Sequence, residues 1–279
     1  MNLSRFTTLG TGGPAREFAQ PATVAEVEEL LRRGDDVAVV GLGSNLLVAD
    51  DGVDALVLHL EGELAAVSTA DGILRAGGGA ANAVALHRAR AAWLGGFEFA
   101  CAIPGTVGGG VRMNAGAYGG DFSQVLRRVL VATADGSGWL TPDELGLSYR
   151  HSELRPGQVV VEAELALRSR PPDEIKAEVR ELNATRKAAQ PTNRRTFGSV
   201  FKNPDHELTA GRMLEACGLK GFRVGGAQIS PKHANFIENA GDARTEDALA
   251  LMREAIRRAR EQFGVELQHE VQLLGDIAV

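Results

Sequence analysis

The segment from Gly198 to Pro204, Gly-Ser-Val-Phe-Lys-Asn-Pro, holds the most reactive-looking side chains of the second half of this sequence. Ser199 follows a glycine and precedes Lys202 by three residues, a setting in which its hydroxyl could act as a nucleophile or a proton donor. The segment is not a G-x-S-x-G nucleophile elbow, because Phe201 stands where the second glycine belongs. A serine in an ordinary turn is the alternative, and the segment alone does not exclude it.

Two further charged side chains could act on an anionic ligand. Residues 265–273 alternate between apolar and polar types, which predicts a closing strand with Leu267 and Val271 on one face and Glu270 on the other. Glu270 would therefore face either solvent or a cleft. Arg150 precedes a predicted linker and could reach an anionic ligand or pair with a surface carboxylate.

Two glycine-rich loops are candidates for holding phosphate groups. The first, Gly41–Leu46, follows the apolar run 37–40, and the second lies within Cys101–Ala117, a stretch with five glycines and no carboxylate. Successive backbone N–H groups in such turns form a concavity that suits a phosphate. The first loop lacks the third glycine of the Rossmann fingerprint, because Leu46 occupies its place. Each loop could be an ordinary turn, but together they indicate a dinucleotide bound by a different fold.

Composition excludes several classes of protein. The chain has 279 residues, a net charge of −6 and 34 glycines, well above the usual share of ~7%. An acidic protein is a poor match for nucleic acid as its main partner. We expect no signal peptide, no membrane span and no metal site, and we interpret Cys101 and Cys217 as small core residues of a protein in a reducing cytoplasm.

The remaining pattern predicts alternating helices and strands. A capping box at Thr23–Glu26 opens a helix that stops near Gly34, and Arg168–Pro172 reads as a linker. We expect strands over 37–40, 55–58, 73–76, 125–133 and 159–167, and further helices over 80–92, 173–189, 209–216 and 245–263. The predicted boundary near Ser169 separates a glycine-rich α+β ligand domain from a smaller α/β domain.

In this order, the motifs resemble those of the UDP-N-acetylenolpyruvoylglucosamine reductase (MurB) family. The resemblance runs from about Thr8 to Leu274 and rests on an ordered set of motifs: Gly-Leu-Gly-Ser-Asn-Leu-Leu-Val at 41–48, Ile-Pro-Gly-Thr-Val-Gly-Gly at 103–109, Met-Asn-Ala-Gly-Ala at 113–117, Tyr-Arg-His-Ser at 149–152, Gly-Ser-Val-Phe-Lys-Asn-Pro at 198–204, Gly-Ala-Gln-Ile-Ser-Pro-Lys-His-Ala-Asn-Phe at 226–236 and His-Glu-Val at 269–271.

The resemblance implies a fold and a reaction. The implied fold is α+β, with an FAD-binding domain over 1–169 of the vanillyl-alcohol-oxidase (PCMH) type. That domain has two α+β subdomains divided near residue 70, and an α/β substrate-binding domain follows over 170–279. The implied enzyme is a cytoplasmic flavoprotein of peptidoglycan synthesis, expected to be a monomer. It binds FAD non-covalently, takes hydride from NADPH and reduces UDP-N-acetylglucosamine enolpyruvate to UDP-N-acetylmuramate.

The resemblance also assigns roles to residues. Ser199 matches the proton donor, and Arg150 and Glu270 match the residues that stabilise the enolate. The matching flavin contacts are Gly41, Gly43, Ser44, Asn45, Leu46, Gly105, Thr106, Gly109, Asn114 and Gly116. The expected substrate contacts are Lys202, Asn203, Lys232 and Asn235, with Arg186 and Gln190 as additional candidates.

Three departures from the family pattern stand out. Gly110 replaces a common alanine, which we expect to cost little beyond backbone entropy. His269 replaces an apolar residue or proline before Glu270, and the chain resembles the shorter subtype without an extra tyrosine-bearing segment. Two other functions stay open at this stage: a flavin oxidase of the same fold acting on an alcohol or sugar, and a non-catalytic nucleotide-binding homologue.

Overall fold

The computed structural model describes residues 1–279. Its α-helices are α1 (Val24–Arg32), α2 (Asn82–Ala91), α3 (Val107–Arg112), α4 (Pro172–Ala189), α5 (Ala210–Ala216) and α6 (Thr245–Phe263). Its strands are β1 (Ala15–Ala19), β2 (Val37–Val39), β3 (Leu46–Val48), β4 (Val53–Leu58), β5 (Val67–Ala70), β6 (Ile73–Gly77), β7 (Leu94–Gly95), β8 (Gly116–Ala117), β9 (Gly120–Asp121), β10 (Leu126–Thr133), β11 (Gly136–Leu140), β12 (Val159–Ala166), β13 (Arg168–Ser169), β14 (Arg223–Val224), β15 (Ala227–Ile229), β16 (Ile237–Asn239) and β17 (Gln272–Leu274).

The chain forms two compact units. The sheet unit comprises residues 17–42 and 55–185, and the composite unit comprises residues 1–16, 43–54 and 186–279. This division differs from the predicted boundary near Ser169, because the first residues of the chain and a segment around β3 fold together with the C-terminal third. The assignment of a flavin domain to 1–169 and a substrate domain to 170–279 remains a prediction about function.

The sheet unit is built on a five-stranded antiparallel sheet in the order β11-β10-β12-β6-β5. Side chains of β12 enter two different hydrophobic clusters. Val159 and Val161 pack with Val27 of α1, whereas Ala163 and Leu165 pack with residues of α2 and α3. Because both faces are covered, β12 is almost entirely buried. Its polar residues are Glu162 and Glu164, and the buried Glu164 accepts from the Arg128 guanidinium at 2.7 Å.

The composite unit joins distant parts of the chain around one core. β17 pairs in parallel with β3, and β14, β15 and β16 form a separate antiparallel sheet beside α6. The carboxylate of Asp50 accepts hydrogen bonds from the backbone N–H groups of Thr245 at 2.9 Å and Glu246 at 3.1 Å, which satisfies the N-terminus of α6. The pairing of β17 with β3 brings the first glycine-rich loop next to the segment that carries Glu270.

The predicted helices and strands are confirmed where local signals are strong. The capping box of α1 is present, with the Thr23 hydroxyl accepting from the Glu26 N–H and the Glu26 carboxylate accepting from the Thr23 N–H. Helix α6 ends at Gly264, whose φ of 68° is the left-handed conformation that glycine tolerates.

The predicted closing strand over 265–273 was wrong in extent. Only Gln272–Leu274 is a strand, although Leu267 and Val271 are buried as the alternation indicated. The preceding residues form isolated hydrogen bonds instead of a ladder, for example from the Lys202 N–H to the Gln268 carbonyl at 2.9 Å.

The structure also describes the surroundings of the two cysteines and the character of the helices. Both cysteines are free thiols; Cys217 is buried, and Cys101 is partly buried against the core of the sheet unit. No helix is both long enough and apolar enough to cross a lipid bilayer.

Candidate active site

The second glycine-rich loop is anchored by a capped helix in the sheet unit. Thr106 is the N-cap of α3, and its hydroxyl oxygen accepts from the Gly109 N–H at 3.4 Å. A Cβ at Gly41 would lie 2.6 Å from that same oxygen, so only glycine lets the chain approach here. The structure therefore places the start of the first glycine-rich loop directly against Thr106 of the second.

Arg150 lies beside the second loop. It occupies a tight turn with φ of 55°, a conformation uncommon for a residue with a side chain. Its guanidinium donates to the Gly116 carbonyl oxygen at 2.5 Å and lies 4.9 Å from the ring centroid of Tyr149. Strain of this kind costs about 1 kcal/mol or more and is often found at functional sites. The turn thus holds a cation against the glycine-rich loop.

Asn114 ties the loop and the Arg150 turn together. It is buried, has φ of 37°, donates to the Ser148 carbonyl oxygen at 3.0 Å and accepts from the Ser123 N–H at 2.9 Å. Its side chain therefore spans three parts of the sheet unit. The predicted flavin contacts Gly105, Thr106, Gly109, Asn114 and Gly116 all belong to this same local structure.

The rest of the first glycine-rich loop lies in the composite unit. Gly43 has φ of 61°, and a Cβ there would lie 1.9 Å from the Phe6 carbonyl oxygen. The backbone N–H and the hydroxyl of Thr8 both reach the Gly43 carbonyl oxygen, at 3.1 Å and 3.2 Å. These contacts require glycine and fix the loop immediately before β3 begins at Leu46.

The composite unit also brings Ser199 and Glu270 into one backbone frame. The Glu270 N–H donates to the Val200 carbonyl oxygen at 2.9 Å, so Glu270 lies beside the residue that follows Ser199. A Cβ at Gly198 would lie 3.3 Å from the Ser44 carbonyl oxygen, which brings the first loop to the same place. Ser199 and Glu270 are each half-buried, an environment in which a hydroxyl and a carboxyl can reach a ligand.

The four predicted substrate contacts differ in their surroundings. Lys232 is exposed, and its ammonium donates to the Lys187 carbonyl oxygen. The exposed Asn203 accepts from the Ala210 N–H at 3.2 Å, at the start of α5, and Lys202 is half-buried. Asn235, by contrast, is only 4% exposed, and its side chain is bonded to the protein backbone.

A half-buried histidine, His233, supports the turn that contains Asn235. Burial lowers the pKa of His233, and the nearby ammonium of Lys220 lowers it further. The neutral ring is consistent with its hydrogen bond, in which Nδ1 accepts from the Asn235 N–H at 3.2 Å. His233 therefore stabilises the turn instead of adding charge to the site.

Sequence analysis missed Asn82, the first residue of α2. Asn82 is fully buried; its backbone N–H donates to the Gly105 carbonyl oxygen at 3.0 Å and its side-chain amide donates to the Ile103 carbonyl oxygen at 3.2 Å. Its Oδ1 atom has no hydrogen-bond partner in the protein. The signal available in the sequence was a lone asparagine within an alanine-rich helix that precedes the second loop.

Two family models match this chain. The model described as "FAD binding domain" matches residues 15–139, and the model described as "UDP-N-acetylenolpyruvoylglucosamine reductase, C-terminal domain" matches residues 190–274. UDP-N-acetylenolpyruvoylglucosamine reductase 2 of Symbiobacterium thermophilum is 44% identical, covering 98% of this chain and 90% of that protein. The Myxococcus xanthus reductase is 43% identical, covering 98% and 91%.

A solved structure extends the similarity to three dimensions. The crystal structure of MurB from Thermus caldophilus matches with a TM-score of 0.87 and 39% identity, over 98% of this chain and 97% of that chain. Together with the FAD-binding family model, this match confirms the α+β fold class that the sequence predicted.

Proposed function

This chain belongs to the UDP-N-acetylenolpyruvoylglucosamine reductase family, and we propose that it reduces UDP-N-acetylglucosamine enolpyruvate to UDP-N-acetylmuramate with NADPH as reductant. The observation that carries the proposal is the hydrogen bond that holds Glu270 to Val200, the residue after Ser199, in a chain 44% identical to such a reductase. The reaction belongs to peptidoglycan precursor synthesis. Neither the flavin oxidase nor the non-catalytic alternative gains support from these relatives.

The residues around the second loop fit a bound FAD. The orphaned Oδ1 of fully buried Asn82 is an acceptor next to this loop, and a buried polar atom without a partner costs about 1–3 kcal/mol. A hydroxyl or N–H group of a cofactor would satisfy it. The glycine-rich segments carry no carboxylate, so they would not repel the pyrophosphate. We assign FAD contact to Gly41, Gly43, Ser44, Asn45, Leu46, Gly105, Thr106, Gly109, Asn114 and Gly116.

The proposed chemistry divides between FAD and the protein. FAD, when bound, would supply the hydride taken from NADPH that the enol-ether double bond requires. The substrate carbon next to the carboxylate then requires a proton, which we assign to the hydroxyl of Ser199. Because a hydroxyl is a weak acid, the charge on the substrate enolate has to be offset. We assign the offsetting charge to the permanently cationic Arg150. We assign to Glu270 a hydrogen bond to the enolate, which the carboxyl group can donate only in its protonated form.

Substrate binding is assigned to exposed and half-exposed polar groups. Lys202, Asn203 and Lys232 carry donors that suit the diphosphate and uridine, and Arg186 and Gln190 are additional candidates. The predicted contact of Asn235 with substrate is revised, because its side chain is buried and engaged with Phe201.

Isotope labelling tests this function directly. We expect the reaction in D2O with unlabelled NADPH to place one solvent deuterium on the product carbon next to the carboxylate. NADPH deuterated at its transferable position should label the neighbouring carbon instead. Mass and NMR spectra that show neither label, or no conversion at all, would refute the proposed function.

We further propose that the enzyme acts as a monomer in the cytoplasm. A cytoplasmic setting fits a reaction that consumes NADPH and a nucleotide sugar. Light scattering of the flavin-loaded protein at micromolar concentration should give the mass of one 29.5 kDa chain plus FAD. A doubled mass would contradict the monomer.

A further inference from the structure

The side chain and the backbone carbonyl of Asn235 form hydrogen bonds with the main chain immediately after Ser199. Its Oδ1 accepts from the Phe201 N–H at 3.0 Å, and its Nδ2 donates to the Phe201 carbonyl oxygen at 2.9 Å. Its own backbone carbonyl accepts from the Val200 N–H at 3.0 Å. Three hydrogen bonds from one asparagine therefore fix two consecutive residues, both of them buried.

We call the hydrogen bonds of Asn235 to Val200 and Phe201 the Asn235 clamp. It matters because Gly198, on the other side of Ser199, restricts the backbone conformation little. Gly198 has φ of 78°, a conformation that glycine adopts without strain, so it does not restrict the backbone as other residues would. The direction in which the Ser199 hydroxyl points is therefore set mainly by Val200 and Phe201. The clamp also reaches Glu270, since the Glu270 N–H donates to the carbonyl oxygen of the same Val200.

We propose that Asn235 is a positioning residue that aims the Ser199 hydroxyl at the substrate carbon and holds Glu270 in register with it. The inference rests on the proposed function, in which Ser199 delivers the proton. Asn235 itself does not touch substrate, because its side chain is 4% exposed and both of its polar atoms are bonded to Phe201.

The chain offers a matched control in Asn239. This residue lies four positions further on, donates to the Leu9 carbonyl oxygen at 3.0 Å and accepts from the Gly241 N–H at 3.1 Å and the Ala243 N–H at 3.3 Å. Its side chain thus also stabilises backbone, but none of these contacts involves residues 198–203. Removal of the Asn239 side chain should lower the free energy of unfolding without disturbing Ser199.

The test separates the two half-reactions of the flavin-loaded enzyme by stopped flow. With N235A, we expect flavin reduction by NADPH to stay within about threefold of wild type. Flavin reoxidation by UDP-N-acetylglucosamine enolpyruvate should slow about 100-fold, the scale of loss that a misplacement of about 1 Å can cause. N239A should leave both rates close to wild type.

A double-mutant cycle shows whether Asn235 acts through Ser199. Adding N235A to S199A should slow reoxidation far less than N235A slows it in wild type, because the Ser199 hydroxyl is already absent and only the register of Glu270 can still change. A full additional 100-fold loss, or equal slowing of both half-reactions by N235A, would overturn the positioning role. If N235A fails to fold, N235D keeps the side-chain volume while removing the donor to Phe201, and the same cycle applies.

Failure of the proposed function would look different. In that case the reduced flavin of the wild-type enzyme would not be reoxidised by UDP-N-acetylglucosamine enolpyruvate at all. The positioning role is overturned when the wild type reoxidises and either the cycle is additive or N235A slows both half-reactions equally.

Discussion

The side-chain amide of Asn45 donates to the main-chain carbonyl oxygen of Glu270 at 2.8 Å. The main-chain carbonyl of Asn45 accepts in turn from the Gln272 N–H at 3.0 Å, so one residue of the first glycine-rich loop is bonded to the main chain at Glu270 and again two residues further on. A loop proposed to contact FAD and a carboxyl proposed to act on the substrate therefore share one hydrogen-bonded frame.

We predict that N45D weakens this frame. An aspartate has nearly the same size but cannot donate to the Glu270 carbonyl, so the free energy of unfolding should fall by about 1 kcal/mol. Reoxidation of the flavin by substrate should slow as well. Urea denaturation measures the first effect, and N2D is the control. Asn2 only accepts from the Ser4 N–H, which aspartate can also do. Equal stability of N45D and wild type would contradict the argument.

We predict that S199A affects only the second half-reaction. Loss of a positioned proton donor should slow flavin reoxidation by about 10²–10⁴-fold, whereas NADPH-driven reduction should be unchanged. The control is T196V, three residues earlier, which removes a buried hydroxyl that has no hydrogen-bond partner. Equal loss of both half-reactions in S199A would contradict the role assigned to Ser199.

The structure gives a packing reason for Gly110, which the sequence interpretation treated as a replacement of alanine that costs little beyond backbone entropy. A Cβ at Gly110 would lie 2.4 Å from atoms of the Phe122 ring, which is fully buried and packs edge-on against Phe97 at 5.5 Å between centroids. Glycine here makes room for that ring.

We therefore predict that G110A is destabilising. Displacing Phe122 should cost about 1–3 kcal/mol, more than the gain in helix propensity of about 1 kcal/mol. G109A, in the same helix, is the matched variant, since its nearest neighbour would be 3.5 Å away. It should keep the melting temperature of the flavin-free protein but weaken FAD binding, as measured by flavin fluorescence. A melting temperature of G110A equal to that of G109A would refute the packing argument.

The ion pairs of Glu254 with Arg257 and Arg258 give a prediction about the stability of the folded protein at acidic pH. The pKa of Glu254 falls from 4.5 to about 2, chiefly because the Arg257 guanidinium hydrogen-bonds to it, with Arg258 contributing as well. The folded state therefore binds this proton less tightly than the unfolded state. The stabilisation from Glu254 is complete above about pH 4.5 and is lost as the pH falls towards 2.

E254Q removes this titration. Because the ion pairs are partly exposed, we expect a loss of about 1 kcal/mol at neutral pH that disappears near pH 2. Denaturant titrations across this range measure the difference between E254Q and wild type. A substitution at the exposed Glu29 serves as the control. A difference that stays constant with pH would contradict the assignment.

Local signals in the sequence were sufficient where a structure is decided by neighbours in the chain. The capping box at Thr23 and the stop at Gly264 both work through residues within a few positions, and both were predicted correctly. The two glycine-rich loops were identified for the same reason, because glycine density is visible without knowing the fold.

Roles that depend on long-range contacts could not be predicted in this way. Asn235 was predicted to be a substrate ligand. The sequence of a polar turn is the same whether its amide faces solvent or forms hydrogen bonds with Phe201, which lies 34 residues away. Asn45 and Glu270 are separated by 225 residues, so no local pattern could show that one holds the other. The composite unit could not be predicted for the same reason, since only the fold brings residues 43–54 to the C-terminal third of the chain.

The most direct test of the account follows flavin absorbance in the purified, FAD-loaded enzyme without oxygen. NADPH should bleach the visible flavin band, and subsequent addition of UDP-N-acetylglucosamine enolpyruvate should restore it, with one flavin turnover for each molecule of substrate. Bleaching without recovery would leave a flavoprotein but contradict the assigned substrate. Protein that binds no flavin on reconstitution would contradict the account from its first step.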